Sequence, residues 1–592
     1  MITARINNQL LNLPLDFTFE IVRNSQLTSF DKLKGDYVPS ISFPDTERNR
    51  TILFNPQLFE MKREGVKEYP DFELDCNGYG IRGTLVLSNG LEGFVKGTAG
   101  FLAAANADKL ITDYTLPQNQ TFSNKSSYNP DTDDYCAPEL TNPDFFRELT
   151  KTRSFTLPDQ NTEIEQTVLQ SYHRAAEYAV NKKQANGTVD VPSGYLSMFP
   201  PLLPQTSETV VVTPSLFLFR AVKELLVQNN FYIATNELDA IPDFKKLAIY
   251  NNFNIVKYQP QQATNLDVTY YDGSIVGYID PTMQILQFPG TFNYADLLPP
   301  VTLKSFLLGL QNLVNIVFVF TDAGTVNIID RENVLEKTPV DLDPYFTGTW
   351  EMSEKKNVVL EFVMSHDEKD GYFGDRYKDL SEREADFGPD VATRAALDNI
   401  VNPELGELRR VTYTNEIYEY KMGTVLDEYG NEYDMLGWFF ASTDYQNYKY
   451  NYNPSVDKEV EKIETSFSTL LSGVAAYTNQ LGRCNLRRGD EAAFTPRLIF
   501  NENGTARNRT SNYLLNWRGT NNLIETRWQK WARFWANREP VTGFFQIPGH
   551  RLQNLDINSP QSTRHGSFII NRMVTRVSHN GIGESKLEVY KL

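Results

Sequence analysis

TPSLFLFRAVKELLVQNNFYIAT, residues 213–235, and VTLKSFLLGLQNLVNIVFVFTDAGTVNIID, residues 301–330, share one shape. Each opens on a start signal, continues as an apolar helix and ends in an extended apolar run. In the first, Thr213 is placed to cap a helix and Pro214 to occupy its first position, where a missing N–H costs nothing. Leu218, Val222, Leu225 and Leu226 then recur at helical spacing. The run FYIAT follows, and KKLAIY at 245–250 is expected to pair with it. In the second, Phe306, Leu310, Leu313, Val314 and Val317 form the stripe. NIVFVF and TVNIID flank Asp322-Ala-Gly324, a hairpin turn signal. A two-stranded ribbon is marginal alone, and a short amphipathic helix has one face to bury. Packing one on the other satisfies both, so the chain carries two similar α+β building blocks.

Outward from these blocks the sequence reads as mainly β. Residues 17–24, FTFEIVRN, alternate apolar and polar. DYVPSISF carries Pro39, which belongs at an edge or a bulge. FELDCNGYGIRGTLVLSNGLEGFVKGTAG, residues 72–100, consists of short apolar runs cut by glycine turns, as in a small barrel or sandwich. Residues 106–205 are loop-rich, with TDYTLPQNQTFSNKSSYNPDTDDYCAPEL followed by a helix-like EIEQTVLQSYHRAAEYAV and an extended GYLSMFPPLLPQ. Residues 206–345 hold the two blocks. Residues 346–500 form a second β region, with strand-like WEMSEKKNVVLEFVMS, VTYTNEIYEYKM and DMLGWFFAST around a charged, solvated loop. Residues 501–592 combine a helix with closing strands. There Ile524, Trp528, Trp531 and Trp535 step along one helical face, and Asn580-Gly581 breaks the last strands.

The chain has 592 residues and a net charge of −18, which gives no general attraction to phosphate backbones. No apolar run approaches the roughly 18 residues of a membrane span, and no secretory leader is read at the start. Cys76, Cys136 and Cys484 lie far apart, which is no disulfide framework and suits assembly in a reducing cytoplasm.

Gly78-Tyr-Gly80-Ile-Arg-Gly83 matches the dinucleotide fingerprint, but GTLVLSNG after it reads as strand and turn, not as the helix that would hold a pyrophosphate. His173, His366, His550, His565 and His579 form no metal motif, although His565 and His579 could meet across a hairpin. Cys484 in LGRCNLRRGDE lacks a sequence-near base. Asp131, Asp133 and Asp134 lack the glycine and distal glutamate of a calcium loop. The tryptophan stripe, with Arg527, Lys530 and Arg533 between its members, reads as core on one side and solvent on the other. No catalytic, cofactor or metal residue is assigned.

The order of parts resembles tail proteins of tailed bacteriophages, and more narrowly the baseplate or tail hub family. The resemblance rests on the two blocks, on GDYVPSISFPDTERNRTILF and GTLVLSNG near the start, and on IETRWQKWARFWANREPVTGFFQIPGH to GIGESKLEVYKL at the end. Residues 106–205 and 365–395 fall outside it. It implies tandem tube-like β-barrel domains with short packed helices. It also implies a non-enzymatic virion role, assembled in the host bacterial cytoplasm. The implied assembly is a homotrimer that closes the tail tube, with tube or distal tail rings on one side and tip, spike or fibre proteins on the other. Two similar barrels per chain would let three chains meet a sixfold tube. Phage DNA would pass an acidic lumen without sticking. The competing readings are a tail-associated hydrolase acting on cell-wall glycan or peptide, and a carbohydrate- or receptor-binding module.

Overall fold

The computed structural model describes residues 2–31, 33, 35–53, 67–77, 79–91, 94–100, 108–117, 120–123, 125–139, 213–251, 291–321, 324–353, 358–364, 387–411, 416–426, 432–443, 447–450, 459–469 and 497–592, with short strand segments between. The architecture is mainly β, built from several sheets with α+β modules.

Among the described residues the largest sheet has 13 strands, and it draws on segments from both the first hundred and the last hundred residues. Thr18–Asn24 pairs antiparallel with Gly566–Ser578 along its whole length, from Thr18 opposite Ser578 to Asn24 opposite Arg572. Residues read from the sequence as parts of two separate regions thus share one sheet. The hairpin Lys67–Cys76 to Tyr79–Leu91 turns at Asn77, whose φ of 55° is left-handed. Pro39 lies where the ladder between Tyr37–Pro44 and Phe94–Gly100 shifts register, between Val38 and Ile41. A residue with no N–H to donate is tolerated at such a bulge. The closing strands Gly566–Ser578 and Gly581–Lys591 turn through His579 and Asn580. Gly581 then carries the positive φ, 115°.

The two blocks meet in one three-stranded sheet. Ile316–Phe320 and Thr325–Asp330 form the expected hairpin, with Gly324 at φ 73°. Tyr232–Asn236 of the first block lies parallel to Thr325–Asp330. Their helices, Leu218–Val227 and Leu303–Val314, bury every stripe residue named above that lies on them. Thr302 caps the second helix by accepting the Ser305 N–H at 3.1 Å. Asn315 ends it in the left-handed conformation, φ 57°, which asparagine tolerates. Val317 therefore sits on the following strand, although it continues the apolar pattern.

Three expectations change here. Thr213 and Pro214 do not start the first helix, because Ser215–Phe217 is a strand held between Tyr135–Cys136 and Leu247–Tyr250. The helix begins at Leu218 with no side-chain cap. KKLAIY does not pair with FYIAT. Its Leu247–Tyr250 lies between Ser215–Phe217 and Arg497–Glu502, all of them buried strands whose backbone groups need partners. Finally, Glu163–Thr167, at the head of the helix-like segment, forms an antiparallel ribbon with Thr152–Thr156. The rest of that segment lies outside the described residues.

Helix Leu303–Val314 crosses the strand Glu459–Thr465 closely at Gly309. A Cβ there would stand 2.1 Å from Ser466 Oγ, while Thr465 Oγ1 donates to the Gly309 carbonyl at 2.6 Å. We expect Gly309→Val to lower stability by about 1–3 kcal/mol through overpacking. Gly80→Ala, whose Cβ would meet nothing within 4 Å, should stay within about 0.5 kcal/mol. Thermal melts of both variants check the contrast.

Candidate functional site

Among the described residues, those of the sequence motifs do not converge on a reaction centre. Gly80 and Gly83 lie within strand Tyr79–Leu91, and the Gly80 N–H is taken by Gln553 Oε1 at 2.9 Å. No helix N-terminus follows them. The three aspartates are each engaged by other groups. Asp131 accepts from Lys245 at 2.8 Å, Asp133 from Lys125, and Asp134 from the Tyr294 hydroxyl at 2.7 Å. Burial and that aspartate push the Tyr294 pKa up. His565 and His579 do not meet. They occupy the turns at opposite ends of Gly566–Ser578, a strand of 13 residues that spans roughly 40 Å. His565 instead lies edge-on to Phe346. Cys76 and Cys136 are buried thiols outside any disulfide, and burial raises the Cys76 pKa to about 12, which leaves it no thiolate to react. His173, His366 and Cys484 lie outside the described residues. Among the described residues no group of three His, Cys, Asp or Glu could hold a metal ion, and no helix is long and apolar enough to cross a membrane.

What the chain does build is a junction. The segment Ser25–Leu33 leaves the large sheet and inserts Leu27, Phe30 and Leu33 into the core that contains both block helices. Arg331, which follows the second block, is fully buried against it. Its Nε donates to the Leu27 carbonyl and its Nη2 to the Ser29 carbonyl, both at 3.0 Å. Its guanidinium lies 4.7 Å from the Phe30 ring centroid and 5.9 Å from that of Trp528. Burial pushes its pKa down, though a guanidinium stays charged at any working pH.

The neighbours of Arg331 hold the tryptophan helix. Asp330 and Arg527 form a buried ion pair at 2.8 Å. Burial is the largest influence on Asp330 and raises its pKa, against the pull of Arg527. Glu332 accepts the N–H groups of Lys530 at 3.0 Å and Trp531 at 2.7 Å. These are donors in the first turn of helix Gln529–Ala536, left without partners inside the helix. A carboxylate from another element thus caps this helix, where the macrodipole favours negative charge. Burial raises the Glu332 pKa, and those two N–H bonds oppose it.

Ile524, Trp528, Trp531 and Trp535 are all buried, as their spacing indicates. A π-helical turn at Ile524–Trp528 precedes the α-helix. Trp528 meets Phe362 edge to face at 4.9 Å, and Trp531 stacks on Trp535 at 6.2 Å. Arg527 differs from the expected solvent-facing cation, because the Asp330 carboxylate and the Val314 carbonyl hold it inside. Sequence reading missed Asp330, Arg331 and Glu332 as a unit. Three consecutive charged residues after an apolar strand give the one available signal, and they resemble an ordinary surface turn.

A second feature stands apart from this junction. Glu416–Leu426 and Glu432–Thr443 form a long hairpin, flanked by Leu408–Val411. Its small core consists of Leu397, Val411, Tyr418 and Trp438.

No protein-family model and no curated protein sequence matches the chain. Several solved structures overlay on it at low similarity, two of them phage or bacterial tail proteins. The 43 kDa tail protein of prophage MuSo2 from Shewanella oneidensis has 8% identity and a TM-score of 0.29, covering 100% of this chain and 98% of its own. The tail protein from Neisseria meningitidis MC58 has 9% identity and a TM-score of 0.29, covering 100% and 96%. Overlays at this level carry no weight for fold or function, so the functional reading rests on the chain's own residues.

Proposed function

We propose that the chain is a structural component of a bacteriophage tail, a hub ring that closes the tail tube and joins it to the distal tip or spike. The observation that carries the reading is the order of parts in the sequence. A glycine-cut run of strands, two helix-and-strand blocks and a tryptophan helix with closing strands follow one another as in tail hub proteins. The charged and polar side chains brought together are spent on holding elements to each other. Asp330, Arg331, Glu332 and Arg527 all serve the junction.

In this proposal the chain forms a homotrimer, with tail tube or distal tail rings above and tip, spike or fibre proteins below. The two blocks share one sheet and one core, so they act as one unit of each subunit. Any pairing of similar barrels against a sixfold tube then falls to the large sheet and a second β region. The net charge of −18 suits a lumen that lets DNA pass without adhesion.

Light-scattering mass measurement of the purified chain tests the assembly, with three copies expected. A sixfold ring would remove the symmetry argument. Release of fragments from purified cell wall by the purified chain would favour a hydrolase instead.

A further inference from the structure

We draw no further inference here: the strongest candidate, the cluster of Glu237, Asp330 and Glu332 carboxylates where the second block meets the tryptophan helix, belongs to the junction already described and is taken up in holding its elements together.

Discussion

Arg331→Met should be among the most damaging single changes in the chain, lowering stability by about 3–5 kcal/mol. The side chain is fully buried and serves carbonyl groups of a segment some 300 positions earlier, Leu27 and Ser29. Methionine fills much of the volume but donates nothing. Two buried carbonyls then lose their partners, at about 1–3 kcal/mol each. Asp330, beside it, loses a compensating cation and keeps one, Arg527. The loss should be local first. Hydrogen exchange at Leu27 and the segment around it should accelerate before the large sheet opens. Arg564→Met is the control, because Arg564 pairs with Asp343 at the surface with 65% of its side chain exposed, where such pairs contribute about 0–1 kcal/mol. Equal melting temperatures for the two variants would refute the role given to Arg331.

Trp531→Ala should cost about 3–5 kcal/mol. Its ring is fully buried, between Phe534 at 5.2 Å and Trp535 at 6.2 Å. Its backbone N–H is the donor that Glu332 caps, and that bond survives the substitution. The loss therefore reports chiefly the packing of the ring, through the cavity left behind, less the relief of a buried indole N–H that has no acceptor. Trp531→Phe keeps an aromatic ring and should lose less than half as much. Denaturant titration of both variants checks this. A fall below about 1 kcal/mol for the alanine variant would mean that the stripe is not core.

The stripe was legible because a helix writes its buried face into the sequence at fixed spacing, and four large residues at Ile524, Trp528, Trp531 and Trp535 leave little ambiguity. The hairpin at Gly324 and the bulge at Pro39 were legible for a similar reason, since glycine and proline constrain their own backbone. What joins distant segments was not. Nothing in FTFEIVRN states that its neighbour is SFIINRMVTRVS, because strand pairing is chosen by shape and register after collapse. Thr213 and Pro214 look like a helix start, and the strand Ser215–Phe217 took precedence because two partner strands supply its backbone bonds. The repeated shape of the two blocks was visible, and its reason was not. Tyr232–Asn236 completes the sheet of the second block as a third strand. A lone ribbon over a helix leaves apolar surface at its edge, which this strand covers. Arg331 escaped notice because charged residues in sequence are presumed wet, and burial of a guanidinium depends on carbonyls that only the fold brings near.

The pairing of Thr18–Asn24 with Gly566–Ser578 also sets a clock on synthesis. The ribosome releases the first of these strands early and its partner more than 500 residues later, about half a minute to two minutes at 5–20 residues per second. Throughout that interval the nascent chain presents an open strand edge, Phe19 and Ile21 included, with no native neighbour on that side. Such an edge recruits whatever strand is nearest, so holding chaperones have a defined target at the start of the chain. The large sheet therefore closes late in synthesis, once Gly566–Ser578 has been made, however early its first strands emerge.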